Sequence, residues 1–163
     1  MGSKQSGPLV VQSADVERVE MPHGVFRLLA DAGSTGGALG ANRLTLGTGA
    51  DGARPHYHAV SWEVFSVLDG TAEFLLGDRM SVVGAGGLVA VPPGLPHAFG
   101  AAADSPTDLL VIAAPGVERF EYFRRLSRIA GGRERFDDLL PDQATYDVHF
   151  VGSSVWESAR DRG

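Results

Sequence analysis

The hydrophobic pattern along the chain changes character once, near residue 115. Before that point, short apolar runs alternate with clusters of Gly, Pro, Asp and Ser; after it, apolar residues recur three and four apart. Period-two alternation over a few residues marks a half-buried strand, and a spacing of three to four marks an amphipathic helix. The first region predicts strands at 25–30, 39–46, 63–68, 71–76, 80–83, 88–91, 98–99 and 109–113. The apolar run at 8–12 predicts an edge strand, and residues 1–7, which are polar, are expected to be loosely held. Residues 31–38 and 47–52 read as turn-rich loops. Asp69-Gly70, between two apolar runs, reads as the tight turn of a hairpin. Both faces of 63–68 look buried apart from Glu63 and Ser66.

The second region predicts a helix over 117–130, apolar at 117, 120, 123, 126, 129 and 130 and closed by Gly131-Gly132. Packing on the outside of the preceding strands is its expected place. A helical turn near 133–140, a helix or turn start at Pro141-Asp142-Gln143, a last strand at 146–151 and a frayed charged tail after Ser158 complete the pattern. No helices cross over between the strands, which disfavours a parallel α/β sheet and points to an all-β sandwich or barrel with a C-terminal helical segment.

With 163 residues, a single domain able to bury its own core is expected. The barrel would span about 25–114 and the helical extension about 116–147. The net charge of −6 argues against general nucleic-acid binding. The absence of cysteine removes disulfides and thiolate chemistry and fits a reducing, cytoplasmic setting. There is no apolar run of about 18 residues to span a membrane, and no basic-then-apolar leader pattern.

The chemistry concentrates in His56-Tyr57-His58 and the following Glu63. Residues two apart on a strand point to one side, so His56 and His58 face together. Glu63 joins them if the chain bends once in between. Glu63 also opens an otherwise apolar strand, where an unpaired carboxylate would be costly. Two imidazoles and a carboxylate aimed at one spot suit a borderline divalent cation. A fourth candidate, His97, follows the sharp Pro92-Pro93-Gly94-Leu95-Pro96 corner. Lone histidines such as His23 and His149 are ordinarily core or surface residues. The alternative for the four together is a hydrogen-bonded polar network or a vestigial metal site.

These stretches resemble the two motifs of the cupin family. His56-x-His58, then four residues, Glu63, six residues and Gly70 match the first; Gly86, five residues, Pro92-x-Gly94, two residues and His97 match the second. Ala50 and Ala101 stand where the motifs would begin with Gly and end with Asn; neither is a ligand position. The resemblance implies a jelly-roll barrel, the cupin double-stranded β-helix, holding one Fe, Ni, Mn, Co, Cu or Zn ion through His56, His58, Glu63 and His97. Open coordination positions would allow catalysis. It implies a homodimer formed through the sheets, to which the outer face of 62–68 or an added strand at 8–12 could contribute. Packing beneath the C-terminal helix is the other use for those residues.

By the same resemblance, the chain is expected to be a metal-dependent enzyme acting on a small aromatic or polyketide-like molecule. A quercetinase-type dioxygenase leads, with Glu63 as ligand and general base. A non-oxidative cyclase or isomerase of secondary metabolism, and a small-ligand-binding module without chemistry, are the alternatives. Phe65, Val67, Phe74, Val89, Val91 and Phe99 are candidates to line the substrate pocket, against the plain reading that they are barrel core.

Overall fold

The computed structural model describes residues 7–162; the expectation for residues 1–6 lies outside them. Ten strands form one curled antiparallel sheet. In chain order they are β1 (Glu17–Met21), β2 (Gly24–Ala30), β3 (Gly40–Leu46), β4 (Asp51–Tyr57), β5 (Trp62–Leu76), β6 (Arg79–Gly84), β7 (Leu88–Val91), β8 (His97–Ala101), β9 (Thr107–Ala114) and β10 (His149–Phe150). The sheet runs β1-β2-β3-β9-β5-β8-β4-β10, with β6 and β7 also paired to β5. Helices follow: α1 (Phe120–Ala130), α2 (Phe136–Leu139), α3 (Gln143–Tyr146) and α4 (Ser154–Arg160). Among the described residues no helix is long and apolar enough to cross a membrane.

The organising element is β5, and here the structure departs from the expected hairpin. Its 15 residues run straight through Asp69-Gly70. The first half pairs with β9 and β7, the second with β8 and β6. The register slips between Val67 and Asp69, and Gly70 takes a φ of +70° opposite Thr107. A left-handed glycine next to an extra residue makes a bulge and bends a strand, where in a hairpin it would reverse it. The reversal comes later, at Gly77-Asp78, where Leu76 pairs with Arg79. One strand thereby serves both halves of the barrel.

Alternation along the strands builds the core. Phe65, Val67, Ala72 and Phe74 of β5 are fully buried, as are Leu44 of β3 and Leu109 of β9. Phe65 lies 4.8 Å from Phe99 and 5.2 Å from Phe74, ring centroid to centroid. Glu63 shares this inner face and is buried, whereas Trp62 and Leu68 on the opposite face are about half exposed. That outer face is therefore open, contrary to the expectation of two buried faces.

Several boundaries move for identifiable reasons. Residues 8–12 form no strand and lie exposed; the edge of the sheet is instead β1, a charged segment with a single buried residue, Val19. β4 begins at Asp51, inside the stretch expected to be loop. The last strand is only two residues long, because Gln143–Tyr146 closes a helical turn first. The tail does not fray at Ser158. Trp156 of α4 is buried against Leu75 and Ala98, and Arg160 donates to Asp51, Glu73 and the carbonyls of Gly49 and Ala101.

Helix α1 starts three residues late, at Phe120, because Asp31 captures its first amides. The Asp31 carboxylate accepts from Arg119 N at 2.7 Å and Phe120 N at 3.2 Å, satisfying donors that a helix start leaves without partners. The helix packs along β1, where Ser127 Oγ donates to Glu20 O at 2.7 Å. Its apolar face turns toward the barrel mouth, and the Phe123 ring sits 4.8 Å from Phe26. The helix is thus a cover over the open end, where an outer layer was expected.

Two substitutions test this frame. A Cβ at Gly70 would stand 1.9 Å from Pro106 O in a left-handed backbone, so Gly70→Ala should destabilise the fold by about 2–4 kcal/mol. Phe123→Asp should cost about 2–5 kcal/mol by placing a carboxylate against Phe26. Urea unfolding measures both; an unchanged midpoint for either variant would contradict the packing assigned to it.

Candidate metal centre

Strand pairing brings the four candidate residues together. His56 of β4 lies directly across from His97 of β8. His58 follows one residue beyond β4, and the 59–61 turn sends the chain back into β5, placing Glu63 on the inner face. The corner before His97 is tied to this turn by Gly94 N donating to His58 O at 2.7 Å. One ligand atom from each residue lies within 4.8 Å of every other, and all four side chains are buried.

Each imidazole is oriented through Nδ1. His56 Nδ1 meets Arg54 O at 2.7 Å, His58 Nδ1 meets Asp147 O at 2.6 Å, and His97 Nδ1 meets Leu95 O at 2.9 Å. A carbonyl can only accept, so a proton is assigned to Nδ1, and Nε2 is the nitrogen turned inward and available to a metal. That is the tautomer a metal-ligating histidine needs. His58 Nε2 approaches Glu63 Oε2 at 2.8 Å. The direction of approach gives no hydrogen bond, and this buried nitrogen is left without one. His97 Nε2 lies 3.3 Å from Glu63 Oε1. A buried nitrogen with an unused lone pair, two further imidazoles and a carboxylate fit a divalent transition-metal ion.

The ionisation states agree with that fit. Burial, reinforced by the neighbouring His97 and His58, holds His56 well below the usual histidine range, so it is neutral and free to ligate. Burial opposes the charge on Glu63, but the adjacent His58 and His97 outweigh it and hold the carboxyl well below its usual range. Glu63 is therefore a carboxylate at neutral pH.

The cavity beside the cluster encloses about 670 Å³ with its open mouth included. His56, His58 and Glu63 form part of one wall, and Phe26, Phe120, Tyr122, Phe123 and Leu126 are among the apolar residues opposite. Of the residues expected to line the pocket, Phe99 does so. Phe65, Val67, Phe74, Val89 and Val91 are packed in the barrel core and are not among the lining residues. Their strands are right, but they sit deeper than the cavity floor.

The sequence reading missed the residues supplied from beyond the barrel. Arg119 is 7% exposed and lies on the cavity wall. Its Nε donates to Tyr146 O at 2.9 Å and its Nη2 to Asp147 O at 3.1 Å; Nη1 stands 3.5 Å from Glu63 Oε2. Nη2 also lies 3.0 Å from His58 Nδ1, a packing contact, because that nitrogen's proton is directed at Asp147 O. Asp147 adopts a left-handed backbone with φ of 52°, and its carboxylate accepts from Ala59 N and Val60 N at 2.7 and 3.0 Å. Burial opposes the charge on Asp147, and these amides with Arg119 lower its pKa in spite of it. Tyr122 is buried on the same wall, and burial pushes its phenol far up, so it stays protonated. The one local signal for any of these was an Arg in the first turn of the run predicted as helix, 117–130.

His58→Ala and His97→Ala should each lower bound metal at least about tenfold, the scale on which lost ligands and their partners act, while the apolar barrel stays folded. Elemental analysis with circular dichroism checks this. Full metal content in both variants would remove these histidines from the coordination shell, and loss of fold would make the site structural.

The comparisons with known proteins agree with this architecture. Residues 42–113 match the family model described as a cupin domain. No curated protein matches the chain in sequence. Among solved structures, an RmlC-like cupin from Shewanella frigidimarina superposes with a TM-score of 0.58 at 19% identity, covering 72% of this chain and 98% of that one. The polyketide cyclase RemF from Streptomyces resistomycificus gives 0.55 at 23% identity, covering 67% and 80%. The Streptomyces protein Pac13, described as a nucleoside dehydratase, gives 0.54 at 16% identity, covering 67% and 83%. Both motifs, the barrel and the four converging side chains agree with that match over residues 42–113, and together they support a cupin superfamily domain in this chain.

Proposed function

We propose that this protein is a metal-dependent enzyme that moves a proton on a small, largely apolar substrate, in a cyclisation, isomerisation or elimination. The observation that carries the reading is the buried cluster of His56, His58, Glu63 and His97, whose first three members lie on the wall of a largely apolar cavity. A divalent cation held by His56, His58, Glu63 and His97 would supply Lewis-acid polarisation of a substrate oxygen. Glu63, as a carboxylate, is in the form that accepts a proton from the neighbouring carbon or hydroxyl. Tyr122, held protonated, can donate a hydrogen bond to an oxygen in the cavity. The apolar face of α1 lines the cavity through Phe120, Phe123 and Leu126 and lowers the local polarity around these contacts. The polyketide cyclase, the nucleoside dehydratase and a protein described as a sugar phosphate isomerase share the fold and lend the reading support by analogy of scaffold.

Glu63→Gln separates ligation from proton transfer, since an amide oxygen can still coordinate but cannot take the proton. Metal-loaded protein in D2O, with a panel of aryl ketones, should incorporate deuterium at the carbon next to the carbonyl, followed by NMR. In Glu63→Gln the rate should fall about 10²–10⁴-fold, the usual worth of a general base, with part of the metal retained. Absence of exchange across the panel with full metal content would count against proton transfer. Metal-dependent oxygen uptake in the same samples would favour the dioxygenase chemistry.

A further inference from the structure

The functional reading leaves Arg119 unused, and its surroundings are unusual. A guanidinium carries five N–H donors. Here Nε and Nη2 are spent on the carbonyls of Tyr146 and Asp147, which carry no net charge. Nη1 faces the cluster 3.5 Å from Glu63 Oε2 and makes no hydrogen bond, and the Asp147 carboxylate stands 3.9 Å from Nη2. That carboxylate is already engaged by Ala59 N and Val60 N. The carboxylate of Asp31, the other acid on the wall, is engaged by the amides that open α1. A buried cation needs a counter-charge, and Glu63 is the nearest one. Once Glu63 shares its charge with a bound cation, that compensation weakens. Two N–H bonds of Nη1 then remain without an acceptor beside the place where a substrate oxygen would sit.

We propose that Arg119 is the substrate-recognition residue of this cavity, and that the site takes molecules with an aromatic or alicyclic body and an anionic oxygen, a carboxylate or an ionised enol. The assignment rests on the functional reading above, because it places the anion beside the metal ligands, and it deepens that reading by naming the substrate class. Three features fit it. The guanidinium is fixed by two backbone carbonyls before any ligand arrives, so little freedom is lost on binding. The fork geometry of an arginine matches the two oxygens of a carboxylate, which a point charge does not. Phe26, Phe99, Phe120, Phe123 and Leu126 on the same wall offer the body of the ligand apolar contact.

The test is isothermal titration calorimetry with 2-naphthoate and its neutral isostere 2-naphthamide. It is run on metal-loaded and metal-stripped full-length protein, as wild type, Arg119→Lys and Arg119→Met, with metal content measured in each sample. Wild type should prefer the carboxylate by about 10- to 100-fold, the scale of a charge-assisted hydrogen bond. Arg119→Met should lose that preference, and Arg119→Lys, which keeps the charge without the fork, should retain part of it. Equal binding of the two probes by wild type overturns the proposal, as does binding of neither. A preference that survives in Arg119→Met and disappears on removing metal also overturns it, since the metal alone would then read the anion. If Arg119→Met does not fold, the wild-type probe pair and Arg119→Lys decide: an unaltered preference in the lysine variant counts against the fork. A chain that binds no metal yet prefers the carboxylate would sink the metal-dependent reading and leave Arg119 in its role.

Discussion

Three backbone carbonyls hold this site. Those of Arg54, Leu95 and Asp147 each meet an imidazole Nδ1, and the inward Nε2 lone pairs follow from that. Two of the three are local, two residues before the histidine on the same strand or corner. They come with the extended backbone that the β4 segment and the proline-rich corner adopt in any case. The third is remote, 89 residues along the chain from its histidine. It exists because Asp147 tolerates a left-handed conformation that short polar side chains reach more readily than most. Glu63 completes the cluster from an inner-face position where an apolar residue would otherwise sit, with the Arg119 guanidinium 3.5 Å from its carboxylate.

The four clustered residues were legible in the sequence because each depends on local geometry: a two-residue spacing on a strand, a single bend, a proline corner. The strands from 25 to 114 were legible for a similar reason, since alternation directly reports which face is wet. Where the reading failed, the deciding partner was distant. Asp69-Gly70 carries the residues of a hairpin turn, and Gly70 does take the left-handed conformation such a turn would use. Pro106 and Thr107, brought in by β9, convert that local bend into a bulge inside a continuous strand. Residues 8–12 have the composition of a strand and find no neighbour to pair with in the described chain. Arg160 looked like part of a charged tail, because its acceptors lie on the loop before β4 and on β4, β5 and β8.

The cover was legible as a helix and illegible as a cover. The spacing over 117–130 fixes which face is apolar but carries no information about what that face meets. Its docking is decided by Asp31, which takes the first amides of α1 from across the barrel rim, and by Phe26, which meets Phe123. The same blindness hid Arg119 and Tyr122, since a polar side chain near a helix start is ordinarily solvated. The cavity beside the cluster is lined in large part by α1, while Phe65, Val67, Phe74, Val89 and Val91 lie in the barrel core.

Asp147 sets the size of the inherited unit. Residues 42–113, the stretch that matches the cupin family, contain all four donor side chains. A barrel excised at those limits would keep its donors and lose the carbonyl that aims His58, the carboxylate that pins the 59–60 turn, and the arginine beside Glu63. The C-terminal segment is therefore as much a part of the centre as the strands are. Moving the intact centre of this protein onto a different barrel would mean moving residues 116–150 together with the rim that receives them. Exchanging barrel side chains alone would carry the donors across without the parts that orient them.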